Sequence, residues 1–143
     1  MIIIFLLVGG GTPKACAKET PNLTLLGSLT DLRVLAPIYV ASDLFVFPGA
    51  VGLGAVQAMC YHLPILTVDS PLHGPEIEYR AGQNAIKLPV SATAEEYAFT
   101  IKTLFDSPDG LRALQSGIWP SISHLTVEQM AHKFIYGVNA LLV

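Results

Sequence analysis

Short, continuously apolar runs recur along this chain between stretches of helical spacing, most densely in Phe47 to Asn84, FPGAVGLGAVQAMCYHLPILTVDSPLHGPEIEYRAGQN. A run without polar alternation belongs to a strand covered on both faces. Parallel strands are covered in that way, because each is joined to the next by a crossover helix. The spacing predicts strands at about Ile2–Val8, Leu23–Leu26, Asp43–Phe47, Ile65–Val68 and Ala85–Leu88.

Helices fill the intervals. Pro13 and Pro21 limit Thr12–Thr20 to a turn or two. Leu32–Ala41 places Leu32, Leu35, Ile38 and Tyr39 at helical spacing behind an Asp31 N-cap, with Pro37 weakening it. Gly54–Tyr61 is short and apolar, and Pro75–Ala81 opens on proline and stops at Gly82. Beyond Pro89, amphipathic helices at Ala94–Phe105, Asp109–Ser116 and Thr126–Leu141 are separated by Ser-Pro-Asp and Trp119-Pro120, and Thr126 with Gln129 forms a capping-box pattern. The fold class is α/β, a Rossmann-like parallel sheet with helices on both faces, forming a single domain over residues 1–143.

Composition narrows the partners. Apolar residues make up 52% and charged residues 13%, against about 25% charged in ordinary soluble domains, so more apolar surface exists than one core needs. Some of it is expected to meet a second copy or another domain. The net charge of −3, with scattered Lys and Arg, excludes an electrostatic nucleic-acid footprint. Cys16 and Cys60 show no CxxC and no histidine at ligand spacing. They read as two small buried thiols, with no metal site and no disulfide, as suits a cytoplasmic protein. Ile2–Val8 lacks the basic leader of a signal peptide and reads as a buried first strand, and no run reaches the length of a membrane span.

Glycines mark the candidate site. Gly9-Gly10-Gly11 follows the first strand without completing a Walker or GxGxxG pattern; it serves either a sharp turn or the close approach of a ligand at Gly10. Gly49, Gly52 and Gly54 stand between a strand and a helix, where missing side chains and the helix's positive end suit a phosphate or sugar, or simply a turn. Gln57, three residues into that helix, can donate to and accept from a pair of sugar hydroxyls, or is an exposed helix former. His73 and Glu76 follow the next strand end on the same rim. Both are candidates to contact a sugar hydroxyl or phosphate, although a first-turn carboxylate is stabilised by the helix dipole without any function. His62 reads as a cap on the preceding helix, and His124 and His132 as surface residues.

Taken together, LTLLGSLTDLRVLAPIYVASDLFVFPGAVGLGAVQAMCYHLPILTVDSPLHGPEIEYRAGQNAIKLP resembles the donor-binding C-terminal domain of GT-B glycosyltransferases of the retaining family 4 type, half of a GT-B fold. The order carries the resemblance: Leu26-Gly27, Ala41-Ser42-Asp43, Phe47-Pro48, a glycine-opened helix with Gln57-Ala58-Met59, Leu63-Pro64, Pro75-Glu76 and Gly82-x-Asn84. It implies a hexosyltransferase using a nucleoside-diphosphate sugar, with no other cofactor and no tightly bound metal. By that analogy the base lies against Leu26, Gly27 and Ser28, the ribose meets Gln57, and the diphosphate meets N–H groups of Val51, Gly52, Leu53 and Gly54. His73, Gly74 and Glu76 line the sugar side, and His73 and Glu76 are the catalytic candidates.

The sequence also departs from the family. Typical members carry two glutamates seven residues apart, and here Gly49 and Gln57 occupy those positions. The Arg- and Lys-bearing unit that opens the domain in relatives, and the acceptor-binding domain before it, are expected to be missing. The alternative is therefore a non-catalytic nucleotide-sugar-binding module, a subunit whose acceptor domain lies on another chain, or a fragment.

Overall fold

A computed structural model describes residues 2–11, 20–79 and 84–142. The chain forms two compact units, Met1–Ala41 and Ser42–Val143. In the first, β1 (Phe5–Val8) and β2 (Leu23–Gly27) pair in parallel, Phe5 opposite Leu23, with a register shift between Leu7 and Val8. Gly27 ends β2 at φ +71°, a left-handed conformation that favours glycine, and its carbonyl accepts from the Gly9 N–H at 2.8 Å. Helix α1 (Leu32–Val40) comes next, with the Asp31 carboxylate accepting from the Arg33 N–H and also pairing with the Arg33 guanidinium, which holds that carboxyl below its usual range. Pro37 lies inside α1.

The first strand corrects one expectation. Phe5 to Val8 are each 37–40% exposed, not buried, and α1 has no buried residue. An apolar run encodes a capacity for burial, but among the described residues β1 has β2 as its partner strand, and pairing along a strand's edge does not cover its faces.

The second unit holds the core. Its sheet runs β3 (Phe45–Phe47), β4 (Ile65–Val68), β5 (Ala85–Leu88), all parallel, with Phe45 opposite Ile65 and Ile65 opposite Ala85. All four residues of β4 are buried, and since alternate side chains point to opposite faces, both faces of this strand are covered. Between β3 and β4 lies α2 (Leu53–Cys60), which buries Ala55, Ala58 and Met59. Ala55 and Met59 pack with Val51, Ile65, Ile77, Ala85, Ile118 and Ile122 as one cluster.

Helix α2 ends where His62 adopts φ 59°. The His62 N–H bonds the Met59 carbonyl at 2.9 Å and the Leu63 N–H bonds the Ala58 carbonyl at 3.0 Å, the paired closure of a Schellman cap. His62 is thus the expected cap, while Cys60 is exposed, because it sits on the face of α2 away from Ala55 and Met59. Cys16 lies outside the described residues.

After β4, Pro75–Tyr79 forms a single 3-10 turn, not an α-helix, and the expected stop at Gly82 lies outside the described residues. The unit closes with helices α3 (Ala94–Asp106), α4 (Pro108–Ser116), α5 (Ile118–Ile122) and α6 (Val127–Leu141). A full capping box of Thr93 and Glu96 opens α3, whereas Thr126 caps α6 through the Gln129 N–H. Trp119-Pro120 does not separate helices, as the sequence leads one to expect, but lies inside α5, with Pro120 in its first turn where an intrahelical N–H donor is not needed. Asn84, fully buried, donates to the Ser121 hydroxyl at 2.6 Å and so ties the start of β5 to α5. His124 and His132 are exposed, as expected.

Candidate functional site

The loops leaving the C-terminal ends of β3 and β4 meet in the second unit. At the end of β3 the buried Thr67 of β4 donates through its hydroxyl to the Gly49 carbonyl at 3.1 Å, fixing the first turn of the glycine segment. Gly52 is the N-cap of α2. With no side chain it supplies no capping bond, and its carbonyl accepts from the Ala55 N–H at 2.9 Å. The N–H groups of Gly52, Leu53 and Gly54 have no hydrogen-bond partner among the described residues. They are the free donors that the first turn of any α-helix leaves, carrying its partial positive charge.

The second loop is pinned against the first. Gly74 donates its N–H to the Val51 carbonyl at 2.8 Å. A Cβ on Gly74 would lie 3.3 Å from the Gly52 Cα, tighter than ordinary contact, and 2.2 Å from a Glu76 carboxylate oxygen, so a side chain at this crossing would push the Glu76 carboxylate aside. The half-buried Glu76 thereby lies beside the same glycine pair, in the first turn of the 3-10 segment. His73 reaches both loops: its Nδ1 lies 3.0 Å from the Val51 nitrogen and its Nε2 lies 2.6 Å from the Val68 carbonyl.

Six residues of the sequence-derived site, Val51, Gly52, Leu53, Gly54, His73 and Gly74, with Glu76 beside them, are therefore brought to one rim. The Val51 N–H is not free for a ligand, because it is turned to His73. Gln57 is half-buried on the α2 face of Leu53 and Gly54, one turn on, and its amide has no hydrogen bond among the described residues. In the first unit, Gly10, Leu26 and Gly27 lie together: Gly27 pairs with Val8, and a Cβ on Gly10 would sit 4.0 Å from the Ser28 Cβ. Gly9 and Gly11 carry the positive φ values of that turn.

Sequence reasoning misses Thr67 as an anchor, although one hydroxyl in an otherwise apolar four-residue strand is a visible signal. At the rim's outer side Lys87 pairs with Asp69. Among the described residues, no group of three or more His, Cys, Asp or Glu could hold a metal ion, and no helix is long and apolar enough to cross a membrane.

Residues 2–107 match the family model described as glycosyl transferases group 1. No curated protein matches the chain. Among solved structures, the chain is similar to sucrose-phosphate synthase from Thermosynechococcus elongatus, with 22% identity and a TM-score of 0.73 over 96% of this chain and 38% of that one. It is similar to Anabaena HepE in complex with UDP, with 18% identity and a TM-score of 0.70, covering 96% and 41%. It is also similar to a chain of the GtfA/B complex, with 16% identity and a TM-score of 0.73, covering 96% and 29%. At these identities the likeness establishes the fold, and the chain spans less than half the length of each of these structures.

Proposed function

The chain belongs to the glycosyl transferases group 1 family, and on that premise we propose that it is the donor-binding part of a retaining, family 4 type GT-B glycosyltransferase using a nucleoside-diphosphate sugar. The observation that carries this reading is the row of N–H groups on Gly52, Leu53 and Gly54, without partners among the described residues, at the C-terminal end of a parallel sheet. A diphosphate there meets backbone donors and a helix dipole, and no side chain on Gly52 keeps it away. Uridine is the base favoured, since Anabaena HepE is a structural neighbour solved with UDP.

In this reading the ribose meets Gln57, and Gly74 and Glu76 face the sugar. The donors at the start of α2 stabilise the diphosphate as it leaves, so no tightly bound metal is required. Transfer proceeds with retention by front-face attack. The setting is cytoplasmic, where an exposed thiol such as Cys60 stays reduced.

The second reading, a binding module without catalysis, is favoured by Gly49 and Gln57 standing where the family carries its two glutamates. A panel of UDP-, GDP- and ADP-sugars separates the two, with binding followed by calorimetry and turnover by released nucleotide. Binding with nucleotide release supports the transferase, binding alone supports the module, and no binding to any donor rejects both. Gln57→Ala is expected to weaken donor binding by about 1 kcal/mol, the worth of a neutral hydrogen bond. An unchanged affinity would remove Gln57 from the ribose contact.

The reading includes a partner for the apolar surface, a second copy of the chain or an acceptor-binding domain. Supporting this, α6 exposes Met130, Phe134, Ile135 and Leu141 at 56–87% and buries none of its residues, and exposed apolar surface of this kind marks interaction sites where it is contiguous. Analytical ultracentrifugation of the purified chain is expected to show self-association at tens of micromolar; a clean monomer there counts against the second copy.

A further inference from the structure

The two nitrogens of His73 have opposite roles. Nδ1 lies 3.0 Å from the Val51 backbone nitrogen, whose N–H points at it, so it must be the unprotonated acceptor. Nε2 lies 2.6 Å from the Val68 carbonyl, which can only accept, so it carries the proton. The neutral Nε2–H imidazole satisfies both contacts at once, and neither the other tautomer nor the imidazolium does. The Ser70 N–H also points at Nε2, at 3.3 Å, and competes with that proton; the much shorter 2.6 Å contact to the Val68 carbonyl decides the assignment.

Both partners of the ring are backbone atoms of different segments, the end of β4 and the residue before the N-cap of α2. The neighbouring Gly74 N–H takes the Val51 carbonyl at 2.8 Å, so two consecutive residues hold both polar backbone groups of Val51. Val51 is itself buried in the core cluster. Gly52, the first free donor of α2, comes directly after Val51 in the chain. A ring with both nitrogens committed in this way is a bracket, not a hand extended to a ligand.

We propose that His73 is a positioning residue, a neutral Nε2–H imidazole that clamps Val51 to the end of β4 and thereby aims the Gly52 to Gly54 donors at the diphosphate without touching the donor. The inference rests on the donor-binding reading above. It assigns His73 to orientation of the glycine segment and not to the sugar-side or catalytic place that the family resemblance implies.

Two measurements on the full chain test it. A long-range proton–nitrogen correlation spectrum at neutral pH is expected to show His73 with Nδ1 unprotonated and Nε2 protonated, and the Val51 amide is expected to be protected from exchange. Calorimetric titration with UDP-glucose and with UDP alone is expected to show His73→Ala weakening both by about tenfold. His73→Gln, which offers an acceptor and a donor on one amide, is expected to recover most of that loss. Equal losses for UDP and UDP-glucose mark a residue acting on the diphosphate donors; a loss confined to UDP-glucose would make His73 a sugar contact and overturn the proposal. A protonated Nδ1, or unchanged affinity in His73→Ala, overturns it as well. Failure of the wild-type chain to bind either probe overturns the donor-binding reading together with the clamp's purpose, and is distinct from wild-type binding that His73→Ala leaves intact.

Discussion

Gly52→Ala is expected to lower donor affinity at least tenfold, about 1.4 kcal/mol, while changing folding stability by no more than about 1 kcal/mol. The asymmetry comes from where the new methyl group points. A Cβ on Gly52 meets no protein atom within 4 Å, so no neighbouring group stands in its way. The proposed diphosphate must come close to Gly52 to reach the free N–H groups, and a methyl group on that residue narrows the approach. Gly54→Ala is the control. Its Cβ would lie 3.8 Å from the Phe45 ring, in ordinary contact with the protein and away from the rim. Alanine inside a helix is favoured over glycine by up to about 1 kcal/mol, so Gly54→Ala is expected to keep its affinity and gain stability. Thermal melting beside calorimetric titration of UDP-glucose reads both variants. Equal affinities for wild type and Gly52→Ala would place any ligand away from the start of α2.

The sequence and the structure agree best where local chemistry decides. The limits of β4 and β5 coincide with the apolar runs Ile65–Val68 and Ala85–Leu88, because Pro64 and Asn84 punctuate them and both faces of β4 are covered. Asp31 and Thr126 cap the helices their spacing announces, since such a bond spans only two or three residues. Agreement fails where a neighbour decides. The run ending at Val8 has the composition of a buried strand, yet nothing in those residues states how many strands lie beside them. Trp119-Pro120 looks like a break until the helix is seen to start at Ile118, placing the proline where no donor is lost. At the site, Gly52 and Gly74 are legible as glycines that matter. Their mutual approach and the bracket of His73 on Val51, 22 residues away in sequence, are tertiary contacts that no periodicity encodes.

The rim depends on a helix whose seat can be weakened without touching the rim. Met59→Ala is expected to destabilise the chain by about 3 kcal/mol, within the range of roughly 2–5 for emptying a buried methionine site. Met59 is 1% exposed and packs with Ala55, Ile65, Ile118 and Ile122, where an alanine leaves a void that the small neighbour Ala55 cannot fill. Its sulfur also lies 3.6 Å from the Asn84 amide nitrogen, a weak contact beside the stronger bond to Ser121. Met59→Leu separates the two contributions: it keeps the volume and loses the sulfur, and is expected to cost less than about 1.5 kcal/mol. Urea unfolding of the three proteins measures this, and a Met59→Ala loss below about 1 kcal/mol would mean that α2 is not anchored through its buried face. Because α2 carries the free donors at its other end, Met59→Ala is also expected to weaken donor binding by less than Gly52→Ala does. That ranking tests whether the site is held by the loop clamp at Val51 or by the helix behind it. If the core substitution costs more affinity than the glycine substitution, α2 positions the donors and the clamp is secondary.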